Sequence, residues 1–238
     1  MDSQMVFKRY ELKYILTREQ KQKICDAMAP HMEADSFGRS TIRNIYYDTD
    51  DFRIIRKSLE HPVYKEKLRM RSYRTAGSDD KVFAELKKKY DGVVYKRRES
   101  LNRQEAENFI ATGKIMGEPT QIIREIKYFL DFYGNIGPKV FISYEREAFY
   151  DVKNRNFRLT FDENILWRRE DLSLGKGIYG EPALDRSLTL MEIKTASGIP
   201  LWLAETMSRE KIFRTTFSKY GTAYMQILKN RKGEQKYA

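Results

Sequence analysis

The sequence predicts an α+β domain in which antiparallel strands form a closed barrel with helices packed against its outside. One observation is that several segments alternate charged and apolar side chains at the two-residue period of a β-strand. Another is that the segments predicted as helices carry apolar stripes, which need an apolar surface to cover. If those helices cover the apolar faces of the strands, the charged faces line the inside, and closure removes the exposed edges. A sandwich with its charged faces in solvent is the alternative.

The composition favours one folded domain over residues 1–238. The chain is 41% hydrophobic and 13% aromatic, which is enough for a substantial core and excludes a disordered protein. No internal repeat, low-complexity linker or composition break divides it. The net charge of +11 favours an anionic partner, either nucleic acid, an acidic membrane surface or a phosphorylated small molecule.

Cysteine and histidine usage limits the chemistry. Cys25 is the only cysteine, so an internal disulfide and a cysteine-based zinc site are excluded. With only two histidines, any metal is expected to be a hard ion on carboxylates. The sequence has neither an apolar run near the ~20 residues of a membrane helix nor the apolar core of a signal peptide. We therefore expect a cytoplasmic location, with a separate membrane partner left open.

The first half of the chain alternates strands with two short helices. Thr17 is predicted to cap a helix ending near Met28, with Gln20 completing a capping box. The Asp91-Gly92 pair predicts a hairpin turn. Strands are predicted at Val6–Ile15, Thr41–Asp48, Tyr64–Arg74, Val82–Lys89 and Val93–Leu101, and a second helix at Asp51–Leu59.

The second half begins with two helices. Asn102 is predicted to cap the first and Thr120 the second, which carries apolar residues at helical spacing. The predicted helices are Arg103–Ala111, Thr120–Phe132, Trp202–Lys211 and Lys219–Lys229, and the predicted strands are Lys139–Tyr150, Phe157–Asp162 and Ser187–Thr195. Residues 229–238 are expected to be a frayed tail.

The segment Tyr64–Arg74 carries the densest charge. As a strand, it projects Lys65, Lys67, Arg69 and Arg71 from one face. A solvated surface face is the simplest interpretation of one such strand, but the pattern recurs along the chain. Many like charges in a confined space are costly without counter-ions, so the pattern favours a polyanion such as a triphosphate, with a divalent metal. Arginine suits phosphate oxygens through its bidentate fork.

Seven short motifs, in order along nearly the whole chain, resemble one family. They are R-Y-E-L-K-Y from Arg9, L-R-M-R from Leu68, F-A-E-L-K from Phe83, Y-E-R from Tyr144, F-R-L-T-F-D from Phe157, M-E-I-K from Met191 and F-S-K-Y from Phe217. Together they resemble the VTC (vacuolar transporter chaperone) domain, the polyphosphate polymerase branch of the CYTH-like triphosphate tunnel metalloenzymes. Arg9 stands where the wider superfamily has the first glutamate of E-x-E-x-K, which fits this branch better than the hydrolases.

The resemblance implies an eight-stranded antiparallel tunnel that binds ATP and polyphosphate, or another triphosphate, with Mn²⁺ or Mg²⁺. It implies a phosphotransferase that moves the γ-phosphate of ATP to a growing polyphosphate chain. With the alternation, it predicts catalytic roles for Arg69, Arg71, Lys87, Arg146 and Arg158; substrate binding by Lys13, Lys67, Arg97, Tyr144, Lys194, Ser218 and Lys219; and metal binding by Glu192, with Glu11 and Glu85 as further candidates.

Three other functions remain open. Water as the nucleophile would give a tripolyphosphatase or nucleoside triphosphatase, and a site without turnover would give a polyphosphate- or nucleotide-binding module. Nucleic-acid binding ranks last because no known reader motif is visible.

Overall fold

The computed structural model describes residues 10–91 and 93–234, which form eleven strands and six helices. The strands are β1 (Tyr10–Leu16), β2 (Met32–Ala34), β3 (Ser40–Asp48), β4 (Tyr64–Ser72), β5 (Lys81–Tyr90), β6 (Val93–Asn102), β7 (Gly137–Asp151), β8 (Arg158–Arg168), β9 (Glu181–Pro182), β10 (Thr189–Thr195) and β11 (Arg214–Thr215). The helices are α1 (Arg18–Met28), α2 (Arg53–Leu59), α3 (Arg103–Thr112), α4 (Gln121–Tyr133), α5 (Leu201–Arg209) and α6 (Lys219–Glu234).

Side-chain caps fix the starts of four helices. Thr17 and Gln20 form the predicted capping box at α1. Asn102 and Thr120 cap α3 and α4 as predicted, each accepting a hydrogen bond from a backbone N–H in the first turn. At α2, the buried Asp48 carboxylate accepts hydrogen bonds from two first-turn backbone N–H groups and from the Tyr220 hydroxyl, so this aspartate is structural.

The strands form one antiparallel sheet in the order β11-β1-β10-β8-β7-β3-β4-β5-β6, with β2 paired to β7 and β9 to β8. Six strand spacings separate β1 from β5 along this path, so a flat sheet would place them roughly 29 Å apart. Yet Lys87 Nζ on β5 lies 2.9 Å from Glu11 Oε2 on β1. The sheet is therefore rolled, with β1 facing β5 across its interior.

The prediction of a closed eight-stranded barrel is not confirmed, because β11 and β6 are unpaired edges of the sheet within the described residues. The segment that joins β11 to α6 contacts strands on opposite sides of the rolled sheet. β11 pairs with β1, and Lys13 Nζ then donates to the Phe217 carbonyl at 3.1 Å. On the far side, Lys67 Nζ on β4 contacts Ser218 Oγ at 3.2 Å. This segment therefore contacts both β1 and β4 across the interior of the rolled sheet.

Helices cover both outer flanks of the rolled sheet. α3 and α4 pack on the apolar side of β4 and β5 around Phe109, Ile126 and Phe129. α1 and α5 pack on the apolar side of β1, β8 and β10 around Ile24 and Leu203. These two layers agree with the prediction that helices cover the outside.

The terminal helix departs from that prediction because it packs at one end of the interior. Tyr220 stacks on Tyr46 with ring centroids 4.7 Å apart, and Tyr46 pairs in register with Arg69 on the inner face. Leu190 of β10 joins the same core. α6 therefore closes this end of the sheet with apolar side chains.

Several boundaries differ from the predictions. β8 continues past Asp162 to Arg168, and α6 continues past Lys229 to Glu234; β2, β9 and β11 were not predicted. The predicted first strand before Tyr10, including Arg9, lies outside the described residues, as do Gly92 and residues 235–238 of the expected tail. Among the described helices, none has the length and apolarity needed to cross a membrane.

Candidate functional site

Cross-strand register places most of the predicted site residues on one face of the sheet. Directly opposed residues of antiparallel strands share a face, and this links Glu11 to Lys194, and Lys13 to Glu192. In the other half of the sheet, the register links Lys67 to Lys87, Arg69 to Glu85, and Arg71 to Asn44. The charged inner face, as defined by these pairings, carries Glu11, Lys13, Lys67, Arg69, Arg71, Glu85, Lys87, Tyr144, Arg146, Arg158, Asp162, Glu192 and Lys194, and α6 adds Ser218 and Lys219.

Arg97 is the exception, and its predicted substrate-binding role is corrected by the register of the β5–β6 hairpin. Leu86 opposes Arg97, so both point to the outer face, where Arg97 Nε lies 3.3 Å from Glu125 of α4. Its neighbours Lys96 and Arg98 point inward instead. The sequence carries three adjacent cations here, so alternation alone could not tell which of them face the interior.

Glu85 is the centre of one half of the inner face. Its carboxylate is fully buried and accepts from Arg69 Nε at 2.8 Å, Lys96 Nζ at 2.8 Å and Arg98 Nε at 2.7 Å. Burial alone would raise the pKa of Glu85, but Arg69, Arg71 and Lys96 lower it far below its usual value. Glu85 therefore stays ionised and holds the surrounding cations in place.

Arg71 is oriented mainly by neutral groups. Its Nε donates to Asn44 Oδ1 at 2.9 Å and its Nη2 to the Tyr144 hydroxyl at 3.0 Å. The nearest carboxylate oxygen, on Glu85, is 3.9 Å away. The positive charge of Arg71 is thus fixed in position but only partly neutralised, as expected for a group that binds an incoming anion.

A second cluster lies on β7, β8, β10 and α6. Arg146 donates to Asp162 Oδ1 at 2.6 Å and to Glu192 Oε2 at 2.9 Å. Lys219 Nζ lies 2.5 Å from Asp162 and 3.1 Å from Glu192. The structure adds Asp162 to the site: the alternation predicts its place on the strand, but its contact with both Arg146 and Lys219 arises only in the folded chain.

Glu11 joins this second cluster to the opposite wall. It accepts from Lys87 at 2.9 Å and lies 3.5 Å from Lys13, which is also 3.5 Å from Glu192. Burial opposes ionisation of Glu11, but Lys87 and Lys13 outweigh it and lower the pKa to about 2. Lys13 therefore sits between two ionised carboxylates.

Two lysines of the charged inner face have no carboxylate within salt-bridge distance among the described residues. Burial, and then repulsion from Lys13 and Lys87, lowers the pKa of Lys67 to about 7. Burial and Arg146 lower the pKa of Lys194 to about 8. Arg158 lies in the same row but is exposed, and its only described hydrogen bond is to a backbone carbonyl at 3.4 Å. These three groups are free to contact a ligand.

The donor set limits how a metal could bind. Within residues 10–91 and 93–234, no group of three or more His, Cys, Asp or Glu side chains is arranged around a common point. Glu11 and Glu192 do converge on Lys13 Nζ, and a pair of carboxylates suits Mg²⁺ or Mn²⁺ that takes its other ligands from water and phosphate. Glu85 fits less well, because three cations already occupy its oxygens.

A scan against protein-family models matches the VTC domain over residues 8–228. The chain belongs to the VTC domain family. No protein of curated function matches its sequence significantly.

Two solved structures show how this VTC domain is folded. A candidate adenylate cyclase from Bacillus halodurans superposes with a TM-score of 0.54 at 14% identity, over 89% of this chain and 95% of the other. A candidate adenylyl cyclase from Hippeastrum, described as having a dominant triphosphatase activity, gives a TM-score of 0.52 at 20% identity, over 89% of this chain and 92% of the other. Both show that the chain shares its overall fold with these proteins.

Proposed function

We propose that this VTC domain is a metal-dependent phosphotransferase that moves the γ-phosphate of ATP to a growing polyphosphate chain. The observation that carries the proposal is the charged inner face itself. Lysines and arginines from β1, β4, β5, β7, β8, β10 and α6 converge there, and they outnumber the carboxylates that partner them. A string of phosphates supplies the missing negative charge.

Phosphoryl transfer depends mainly on positioning and charge neutralisation. In the proposed reaction, a terminal oxygen of the polyphosphate chain attacks the γ-phosphorus of ATP. The bond from that phosphorus to the bridging oxygen breaks, and ADP leaves with the electron pair. Arg69 and Arg71 hold the triphosphate oxygens, and Arg146 and Lys219 neutralise charge on the opposite wall.

The proposed metal ligands are Glu192 and Glu11. A divalent ion bound there supplies Lewis-acid neutralisation of phosphate oxygens. Lys13 holds the two carboxylates together in the ligand-free protein. Glu192→Gln is therefore expected to weaken Mn²⁺ binding in the presence of a triphosphate. Binding is measured from the increase in the relaxation rate of water protons that bound Mn²⁺ causes. Glu163→Gln, on the outer face beside Lys21, is the matched control.

A tripolyphosphatase is the second candidate, supported by the triphosphatase activity described for the Hippeastrum protein. The two activities differ in the nucleophile, which is a phosphate chain in one and water in the other. Incubation with ATP and Mn²⁺, followed by gel detection of polyphosphate and colorimetric detection of free phosphate, separates them. Polymer supports the transferase, and free phosphate alone supports the hydrolase.

Arg69→Ala combined with Arg71→Ala is expected to abolish either activity without unfolding the protein, since Lys96 and Arg98 still hold Glu85. Arg97→Ala removes one cation from the outer face of the β5–β6 hairpin and should leave activity intact. Full turnover in the Arg69/Arg71 variant would refute the proposed site. Tight triphosphate binding by the wild type with no turnover would instead identify a binding module.

A further inference from the structure

Asn44 is a polar residue in the middle of β3 whose place there is not explained by strand formation. It is fully buried, and in the strand register it stands between Arg71 of β4 and Ile142 of β7. Asparagine is depleted in β-strands, and a buried amide needs partners for both its oxygen and its nitrogen. Residues that break a local preference in this way are expected mainly at functional or strained sites.

The Asn44 amide has one possible orientation. Its Nδ2 donates to the backbone carbonyl of Ile142 at 3.1 Å, and its Oδ1 accepts from Arg71 Nε at 2.9 Å. A carbonyl can only accept and a guanidinium can only donate, so exchanging the amide oxygen and nitrogen would break both bonds. The backbone of β7 therefore fixes the amide oxygen that Arg71 contacts.

Arg71 is held along one edge of its guanidinium. Its Nε bonds to Asn44, and its Nη2 donates to the Tyr144 hydroxyl at 3.0 Å. Among the described residues these contacts use two of the five N–H donors of the group, which leaves three for the oxygens of a ligand. Both acceptors are uncharged, and the Glu85 carboxylate is 3.9 Å away from Nε. Arg71 is thus oriented by groups that do not offset its charge.

Arg69, two residues earlier on β4, is held in a different way. Its Nε and Nη2 contact the Glu85 carboxylate at 2.8 and 2.7 Å, and its Nη1 donates to the Tyr46 hydroxyl at 3.1 Å. A carboxylate fixes an arginine but also offsets its charge, which weakens the attraction of that arginine for an anion. The charged inner face therefore carries one arginine paired closely with a carboxylate and one held by neutral acceptors.

We infer that Asn44 is a positioning residue for triphosphate binding, because it fixes the Arg71 guanidinium on the charged inner face and leaves its charge for the ligand. The inference rests on the proposed function, since it gives Asn44 a part in holding the triphosphate of that reaction. The acceptor at position 44 has to be neutral. An aspartate there would form an ion pair with Arg71 and would place a second acceptor against the Ile142 carbonyl.

A double-mutant cycle between Asn44 and Arg71 tests the inference. Tripolyphosphate affinity is measured by calorimetry, without nucleotide or added metal, for the wild type, Asn44→Ala, Arg71→Met and the double variant. We expect Asn44→Ala to weaken binding by about tenfold when Arg71 is present and by less than about twofold when methionine replaces it. A loss of the same size in both backgrounds would overturn the inference, because Asn44 would then act through the general structure of the sheet.

Ile45→Ala is the matched control for stability. Ile45 is the next residue on β3 and packs in the outer core with the residues around Phe109. This variant should lower the melting temperature and keep the tripolyphosphate affinity. An affinity loss equal to that of Asn44→Ala would count against a specific role for Asn44. Asn44→Ser, whose side chain is too short to reach Arg71, replaces the alanine variant in the cycle if that variant does not fold.

Asn44→Asp separates the position of the acceptor from its charge. It keeps the size of the side chain, yet it should bind tripolyphosphate more weakly than Asn44→Ala, because the carboxylate pairs with Arg71 and repels the ligand. Wild-type affinity in Asn44→Asp would overturn the requirement for a neutral acceptor.

The positioning role and the proposed function can fail separately. Coupling between Asn44 and Arg71 in a protein that forms neither polyphosphate nor free phosphate would support the positioning role and refute the phosphotransferase. Turnover of ATP without that coupling would refute the positioning role and leave the phosphotransferase standing.

Discussion

Triphosphate binding to the charged inner face is expected to increase the protonated fraction of Lys67. In the ligand-free protein, burial and the neighbouring Lys13 lower the pKa of this group to about 7, so roughly half of the molecules carry a neutral amine at pH 7. A bound polyanion reverses the repulsion and raises the pKa again. Protonation and binding are therefore coupled, and the affinity is greatest at pH values below the ligand-free pKa.

The number of protons taken up on binding follows from the pKa values of three lysines. The pKa of Lys96 and the pKa of Lys194 are also lowered, each to about 8. If all three become fully protonated in the complex, binding takes up about two protons at pH 8 and about 0.7 at pH 7. Because the affinity falls by tenfold per pH unit for each proton taken up, each pH unit above 8 should weaken binding by about a hundredfold or more, until the pKa values of the complex are reached.

Calorimetry of tripolyphosphate binding in buffers of different ionisation enthalpy measures this proton uptake directly. Lys67→Arg is the matched control, because arginine keeps the positive charge but does not titrate. That variant should take up about half a proton less at pH 7 while retaining binding. Equal uptake by Lys67→Arg and the wild type, or an affinity that is flat from pH 7 to pH 9, would refute the assignment of a titrating lysine.

Three further predictions concern single side chains. Lys67→Met removes a half-buried ammonium group that has no carboxylate within salt-bridge distance among the described residues, so it should raise the free energy of unfolding at pH 7 by about 1–3 kcal/mol while weakening tripolyphosphate binding. A parallel loss of stability and affinity would contradict this. Glu85→Gln leaves Arg69 and Lys96 without their buried counter-ion and should cost roughly 3–5 kcal/mol, measured by guanidinium unfolding; a cost below about 1 kcal/mol would be inconsistent. Lys96→Ala should weaken tripolyphosphate binding, whereas Arg97→Ala should not, and equal effects would mean that the hairpin register is wrong.

Local sequence rules predicted the elements well where one signal dominates. Thr17 and Gln20 fixed the start of α1, and the charge alternation of β1 and β4 assigned their faces. The rules failed where two signals compete. The alternation predicts an end of β8 at Asp162, because the bulge opposite Ser143 breaks the two-residue period in the second half of the strand. The run of adjacent cations around Arg97 hides the strand register, so the sequence pattern does not predict its outward direction.

Side-chain contacts between elements that are far apart in the sequence could not be predicted in the same way. Asp162 and Glu192 meet Lys219 only because α6 enters the end of the rolled sheet. Closure of the sheet depends on whether its two edge strands meet, and the alternation of side chains within each strand does not report this; β11 and β6 are the edges among the described residues.

The fully buried and the partly exposed ion pairs of the charged inner face should respond differently to a ligand. Glu85 and Asp162 are fully buried with multiple short contacts, so the arginines around them form a fixed frame. The pair Lys87–Glu11 is different, since these side chains are 38% and 20% exposed and Lys13 holds Glu11 only at 3.5 Å. Exposed pairs contribute little stability and open at small cost. An incoming phosphate chain should therefore displace Glu11 from Lys87 first and leave Arg146 on Asp162. This order predicts that Glu11→Gln tightens anion binding in the absence of metal, whereas Asp162→Asn unfolds the protein.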